Sequence, residues 1–308
     1  MARRIILGPQ RPVTNLGTAA ENLPKGPVAV VSAAWKEAEG YIDDLAELVP
    51  QELVDLRLNR RAEAAFAADQ RLRAAHQERQ ERLKDLQRLY QVRMRQLMTA
   101  ARQVMRDGGA PDLIEQARNQ AVAQIQELDR QHVAQAKMIH QEFVDELAHI
   151  ESAALAEQIA EVERQLSSCE AVLITGGNVA VLANRLRLFG DAPWLHDRPV
   201  LAWSAGAMAL SDSIVLFNDH TPQGRREPEV LIAGASVLPG LVFFPGASRR
   251  LNLDDRRQLA LLARRFAPAR CVTLDSGASL VFDDTHLTGA SGARLIGPDG
   301  DLSPLRAA

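Results

Sequence analysis

The chain has 308 residues, enough for one large α/β core or for a smaller core with an accessory module. Its 36 Lys and Arg against 39 Asp and Glu leave a net charge of −3, which gives no general attraction to nucleic acid or to an anionic membrane. The opening Met1-Ala2-Arg3-Arg4-Ile5-Ile6-Leu7 has an apolar run too short for a secretory signal, and no later stretch has the length of a bilayer span, so a cytoplasmic protein is expected.

In chain order, short β-branched runs at 4–7, 28–32 and 53–58 read as buried parallel strands, with a helix expected over 35–48 and stopped by Pro50. Residues 60–165 carry no strand signal and are dense in Arg, Glu, Gln and Ala. Their apolar residues step by three and four: Leu83, Leu86, Tyr90, Met94, Leu97, Ala101 and Val104, then Ile125, Leu128, His132, Ala136, Ile139, Phe143, Leu147 and Ile150. That spacing predicts two long helices paired along one stripe, with Asp107-Gly108-Gly109-Ala110-Pro111-Asp112 as the turn and Asp112 as an N-cap. Each arm could extend on the order of 60 Å, too long to pack wholly on a sheet. A hairpin reaching another subunit or a protein partner, and hence a coiled-coil-like contact in an oligomer, is therefore expected.

A second set of strands is expected at 171–175, 200–203, 214–217, 241–244 and 272–274, with 280–282 and 293–296 closing as a hairpin. Helices are expected over 179–189 and 254–266, the latter capped by Asp254. The fold class predicted is α/β, a doubly wound and mainly parallel sheet with an inserted antiparallel helical hairpin. Residues 1–59 form its first part, 60–165 the insertion and 166–308 the second part. Cys169 and Cys271 edge apolar runs without a CxxC spacing and read as packed, reduced thiols. No segment has metal-ligand spacing, a phosphate loop or basic residues interleaved with aromatics, so neither metal, cofactor nor nucleic acid is expected.

Two segments carry chemistry. Leu201-Ala202-Trp203-Ser204-Ala205-Gly206-Ala207 sets a Ser at a strand-to-helix junction, where small neighbours permit the sharp turn that exposes a nucleophilic hydroxyl and where the Ala205 amide and a helix dipole favour an oxyanion. One strand earlier, Thr175-Gly176-Gly177-Asn178 is a glycine turn whose amides can face a carbonyl oxygen or carboxylate. Arg249 and Arg250 form a pair able to bind a substrate carboxylate, or equally to open a surface helix.

Together, Thr175-Gly176-Gly177-Asn178 and Trp203-Ser204-Ala205-Gly206-Ala207 resemble the dipeptidase E and cyanophycinase family of serine peptidases, whose fold is similar to class I glutamine amidotransferases. The resemblance spans roughly 1–58 and 166–300. It implies Ser204 as nucleophile and an oxyanion hole from Gly176, Gly177 and Ala205. Asn178, Arg249 and Arg250 would meet substrate, and Asp219, fifteen residues after Ser204, would be the catalytic Asp. It also implies a small peptide-like substrate. The family's His is expected after the next strand, where this chain has Pro245-Gly246-Ala247; Gly246 stands in its place. Of seven His, His220 lies nearest the expected edge in sequence, yet adjacent residues on extended chain point apart, so Asp219 cannot simply orient it. The residues thus imply either a serine hydrolase or a catalytically impaired descendant acting as a binding or scaffold protein.

Overall fold

The computed structural model describes residues 2–190, 192–220 and 226–307. The chain opens with β1 (Arg3–Leu7), α1 (Leu16–Ala20), β2 (Val28–Val31), a 3-10 turn (Ala33–Ala38), α2 (Asp43–Ala46) and β3 (Leu53–Asp55). The insertion is α3 (Leu58–Ala68), α4 (Gln70–Arg106), α5 (Pro111–Ile150) and α6 (Ala153–Ser167). After it come β4 (Ala171–Ile174), α7 (Val179–Leu188), α8 (Trp194–Asp197), β5 (Val200–Trp203), α9 (Ala205–Ala209), β6 (Ser213–Asn218) and β7 (Arg226–Ala233). The chain closes with β8 (Leu241–Pro245), α10 (Ala247–Arg250), α11 (Arg256–Phe266), β9 (Arg270–Leu274), β10 (Ser279–Asp283), β11 (His286–Ser291), β12 (Arg294–Ile296) and β13 (Leu302–Pro304).

The fold is α/β, with a largely parallel central sheet and a helical insertion. Strands β1, β5, β4, β2 and β3 lie parallel in that order, and antiparallel β10 and β11 extend the sheet beyond β1. The strands read as unbroken apolar runs because both faces are covered. Ile5, Leu7, Val28, Val30, Leu173 and Trp203 pack with Leu16 of α1 and Leu45 of α2 on one face. Ile6, Ala29, Val31, Val172, Ile174 and Ala202 pack on the other with Ala62 and Phe66 of α3, Val162 of α6 and Leu182 of α7.

Several expectations are corrected. The second set of strands does not all join this sheet: β8 and β9 are parallel neighbours in a separate sheet ordered β13-β12-β9-β8, and β6 pairs only with β7, as an antiparallel ribbon. Strands β10 and β12 do not pair with each other, because β10 completes the edge beside β1 while β12 joins β9. No single helix spans 35–48. The chain bends at Lys36, with φ 57° and ψ −118°, and again at Gly40, with φ 95°, leaving two short turns. The cap of α11 is Asp255, which accepts from the Gln258 amide at 3.0 Å, not Asp254. Helix α5 starts with Pro111 at its first turn and Ala110 as cap; Asp112 lies inside that turn.

The helical arms, roughly 55 and 60 Å long at 1.5 Å per residue, do not project freely. Their seam buries Tyr90, Met94, Met98 and Ala101 of α4 against Ile125, Leu128, His132 and Ala136 of α5. Polar side chains then tie the pair to the body. Arg265 of α11, almost fully buried, donates to Asp129 from Nε (2.7 Å) and Nη2 (2.8 Å), to Tyr90 Oη (2.8 Å) and to the Pro228 carbonyl (2.6 Å). Tyr90 Oη donates to Asp129 (2.7 Å) and accepts from the Val230 amide (3.0 Å). His132 stacks on Tyr90 at 4.2 Å and hydrogen-bonds the Leu231 carbonyl. The pair is seated on the β6–β7 ribbon and α11.

Burial pushes the Cys271 thiol up to about 12 and raises that of Cys169, so both are packed and unreactive. Among the described residues no helix is long and apolar enough to cross a membrane.

Candidate active site

Strands β4 and β5 are adjacent and parallel, so the turns at their carboxyl ends meet in the crevice where such sheets bind ligands. The chain leaves β5 through Ser204 at φ 51°, ψ −109°, a conformation forbidding for a side-chain-bearing residue and costing on the order of 1–3 kcal/mol. Three local features hold it. The Ser204 amide donates to the Leu7 carbonyl at the end of β1, and the Ser204 carbonyl accepts from the Met208 amide to begin α9. Gly206 is obligatory because a Cβ there would lie 2.6 Å from the Ile174 carbonyl oxygen. Ala205 and Ala207 are buried, so small residues are what the tight passage under α7 and β8 accepts. Sequence and strain therefore agree on an abrupt strand-to-helix turn with a partly exposed hydroxyl.

The glycine turn lies against it. A Cβ at Gly176 would meet Trp203 Nε1 at 2.8 Å and Ser204 Cβ at 3.1 Å; one at Gly177, where φ is 132°, would meet the Ala34 carbonyl oxygen at 2.6 Å. The bend is pinned to the turn after β2 by the Asn178 amide donating to that same Ala34 oxygen at 2.9 Å. Among the described residues, the amides of Gly176, Gly177 and Ala205 donate to no protein acceptor. With α9 only five residues long, these amides, more than a helix dipole, are the electrostatic resource of the site.

Ser204 opens onto two unlike pockets. One, about 190 Å³, is lined by Gly177, Ala205, Leu216, Phe217, Glu227, Glu229 and Arg250. The other, about 560 Å³ and more open, is lined by Pro9, Arg11, Leu16, Trp35, Asp44, Leu48, Gly176, Gly177 and Trp203. Arg250 joins the first pocket with its guanidinium 5.7 Å from the Phe217 ring centre, whereas Arg249, exposed like Arg250, lines neither. Glu227 and Glu229, on β7, were not legible as pocket residues, since nothing in Glu227-Pro228-Glu229 foretells a strand folded back over Ser204. Both are held by the insertion: Glu227 by Arg102, and Glu229 Oε2 by Gln87 (3.2 Å) and Gln91 (2.8 Å).

The remaining expected site residues stand elsewhere. Asn178 Oδ1 accepts from the Val181 amide at 3.0 Å and so caps α7 instead of facing substrate. Asp219 lines neither pocket. Its Oδ2 accepts from the Asn252 amide (2.9 Å) and Gln258 Nε2 (2.8 Å), which fixes the loop between α10 and α11. His220 is exposed, with its amide donating to Asn218 Oδ1, and also lines neither pocket; the following Thr221-Pro222-Gln223-Gly224 lies outside the described residues. Gly246 has φ 66°, ψ 36°, with only Pro9 Cγ, at 3.5 Å, near where a side chain would start. Among the described residues neither Ser204 pocket is lined by a histidine.

No protein-family model matches the sequence, and no curated protein matches it. Among solved structures, the chain superposes on a peptidase from an acI-B1 Actinobacterium with a TM-score of 0.47 and 12% identity, covering 100% of this chain and 95% of that one. Likeness at that level does not bear on function.

Proposed function

We propose that this chain is a peptidase-type serine hydrolase acting on short peptides or isopeptides through Ser204, in the manner of the dipeptidase E and cyanophycinase family it resembles. The observation that carries the reading is the strained Ser204 turn set beside the Gly177 and Ala205 amides, which have no acceptor among the described residues. In this reaction Ser204 Oγ bonds to the substrate carbonyl carbon. The oxyanion is held by those two amides, the C–N bond then breaks and the amine leaves with a proton. Water finally hydrolyses the acyl-enzyme. The proton taken from Ser204 passes to a basic group of the substrate and returns with the departing amine; His220 is exposed and lines neither pocket, so it is not given this role. We assign the activity to the cytoplasm, on the strength of the two packed thiols.

A fluorophosphonate probe tests this directly. Wild type should label at one site and Ser204→Ala should not; equal, slow labelling of both would remove the hydrolase assignment.

A second reading, a catalytically impaired ligand-binding or scaffold protein, is favoured by one observation: Gly246 occupies the expected position of the base. Its partner, a second copy or another protein, would meet the hairpin, on which Leu89 and Val92 of α4 and Met138 and Val144 of α5 are exposed. Such a protein would sediment as an oligomer or complex and fail to label.

A further inference from the structure

Ser204 stands between two pockets of opposite chemistry, and that asymmetry specifies what can lie across it. The smaller pocket has room for about six waters, so it accepts one short side chain. Its charged groups are not equivalent. Glu227 is paired with Arg102, which cancels its charge locally. Among the described residues Glu229 is held only by neutral amides through one oxygen, leaving part of a carboxylate's roughly four acceptor sites unused. Arg250 has no carboxylate partner among the described residues and keeps its donors. One acceptor and one donor group facing a small volume match a side-chain amide, which presents both N–H donors and a carbonyl oxygen.

The larger pocket lies on the other side of the Gly176-Gly177 bend. Trp203 and Trp35 wall it, Leu16, Leu45 and Leu48 floor and rim it, and among the described residues Arg11 and Asp44 are its only charged lining groups. Leu48 is 40% exposed at this rim, an aliphatic side chain left partly in water beside a reactive centre. Tryptophan faces and branched aliphatics recognise flat or branched apolar groups by area and stacking.

We infer that the substrate straddles Ser204 with an aromatic or branched aliphatic residue in the Trp35–Trp203–Leu48 pocket and a short amide-bearing residue, Asn or Gln, in the Glu229–Arg250 pocket. The inference rests on the hydrolase reading only for placing a scissile bond at Ser204; the pockets themselves select ligands whether or not the bond is cut.

Calorimetric titration of Ser204→Ala with capped dipeptides separates the two. Asn-Phe and Phe-Asn cover both chain directions, and Asn-Asn and Phe-Phe are the controls. One of the mixed pair should bind about tenfold or more tighter than either control. Trp35→Ala, and separately the rim variant Leu48→Asp, should erase that preference, bringing the favoured mixed dipeptide to within about twofold of Asn-Asn on the same variant. Equal affinities across the four dipeptides, no binding of any, or a preference indifferent to both variants would overturn the inference. Selective binding with no fluorophosphonate labelling of wild type would keep it and discard the hydrolase, and labelling without selectivity would do the reverse.

Discussion

Replacing Asp129 by Ala removes the one carboxylate that faces the Arg265 guanidinium. The Arg265 side chain is 1% exposed and Asp129 13%, so the cation cannot turn to water when its partner goes. It would keep the Tyr90 hydroxyl and the Pro228 carbonyl but lose both charge-assisted bonds, at 2.7 and 2.8 Å. Breaking a buried pair from one side costs about 3–5 kcal/mol, mainly because a desolvated charge is stranded. For a chain of this length that lowers the melting temperature by roughly 5–8 °C. Replacing the whole group by apolar residues, as in Asp129→Leu with Arg265→Met and Tyr90→Phe, strands no charge and should recover most of the loss. Differential scanning calorimetry of wild type, single and triple variants measures both numbers. A single variant melting within a degree of wild type, or a triple variant no better than the single, would refute the claim that these groups act as one desolvated unit.

Three further outcomes are expected from the same structure. Gly177→Ala forces a Cβ against the Ala34 carbonyl at φ 132°, so the bend must move and its amide with it; labelling of Ser204 should slow about 100-fold, the effect of losing one oxyanion donor, and a rate within threefold of wild type would count against that amide. Gly246→His costs about 1–2 kcal/mol for the left-handed backbone, yet its Cβ would meet only Pro9 Cγ at 3.5 Å, and a gain of about 100-fold or more in labelling is expected; a folded variant with unchanged labelling denies that position a base's role. His76, packed 4.4 Å from the Phe66 ring, is held down to about 4 by burial and then by the Arg185 and Arg79 cations. Its folded value lies below the unfolded 6.5, so this contribution is complete above about pH 6.5 and drains away as pH falls toward 4. The loss is at most roughly 3 kcal/mol. His76→Leu should flatten that stretch of a urea-unfolding pH series, and an unaltered slope would exclude His76 as its source.

Where one residue's surroundings are set by its neighbours in sequence, the fold was readable in advance. The β1, β2, β4 and β5 runs are apolar throughout because two faces bury them, and Ser204-Ala205-Gly206-Ala207 announces its turn because only small residues fit it. What escaped was the placement of strands that look alike. Val242, Phe243 and Val272 are as apolar as any central strand, and nothing local says that they pair apart from β1. Strand β7 was invisible because Glu227-Pro228-Glu229 lacks strand character and becomes a strand only by pairing with β6. The same holds for the site. The Ser204 turn and glycine bend are local and legible; Glu227, Glu229 and the pairing of Arg250 with Phe217 are products of tertiary folding.

The insertion then acquires a role that its periodicity alone did not suggest. A two-stranded ribbon such as β6–β7 is marginal by itself in water, yet it supplies Leu216, Phe217, Glu227 and Glu229 to the pocket beside Ser204. What holds the ribbon is the hairpin, through Tyr90 Oη on the Val230 amide, His132 on the Leu231 carbonyl, Arg102 on Glu227, and Gln87 and Gln91 on Glu229. Each of these contacts replaces water on a β7 group that a free edge would leave exposed. The smaller pocket is therefore built by the helices as much as by the sheet: remove α4 and α5, and Ser204 keeps its turn and its amides but loses the wall that would choose its substrate.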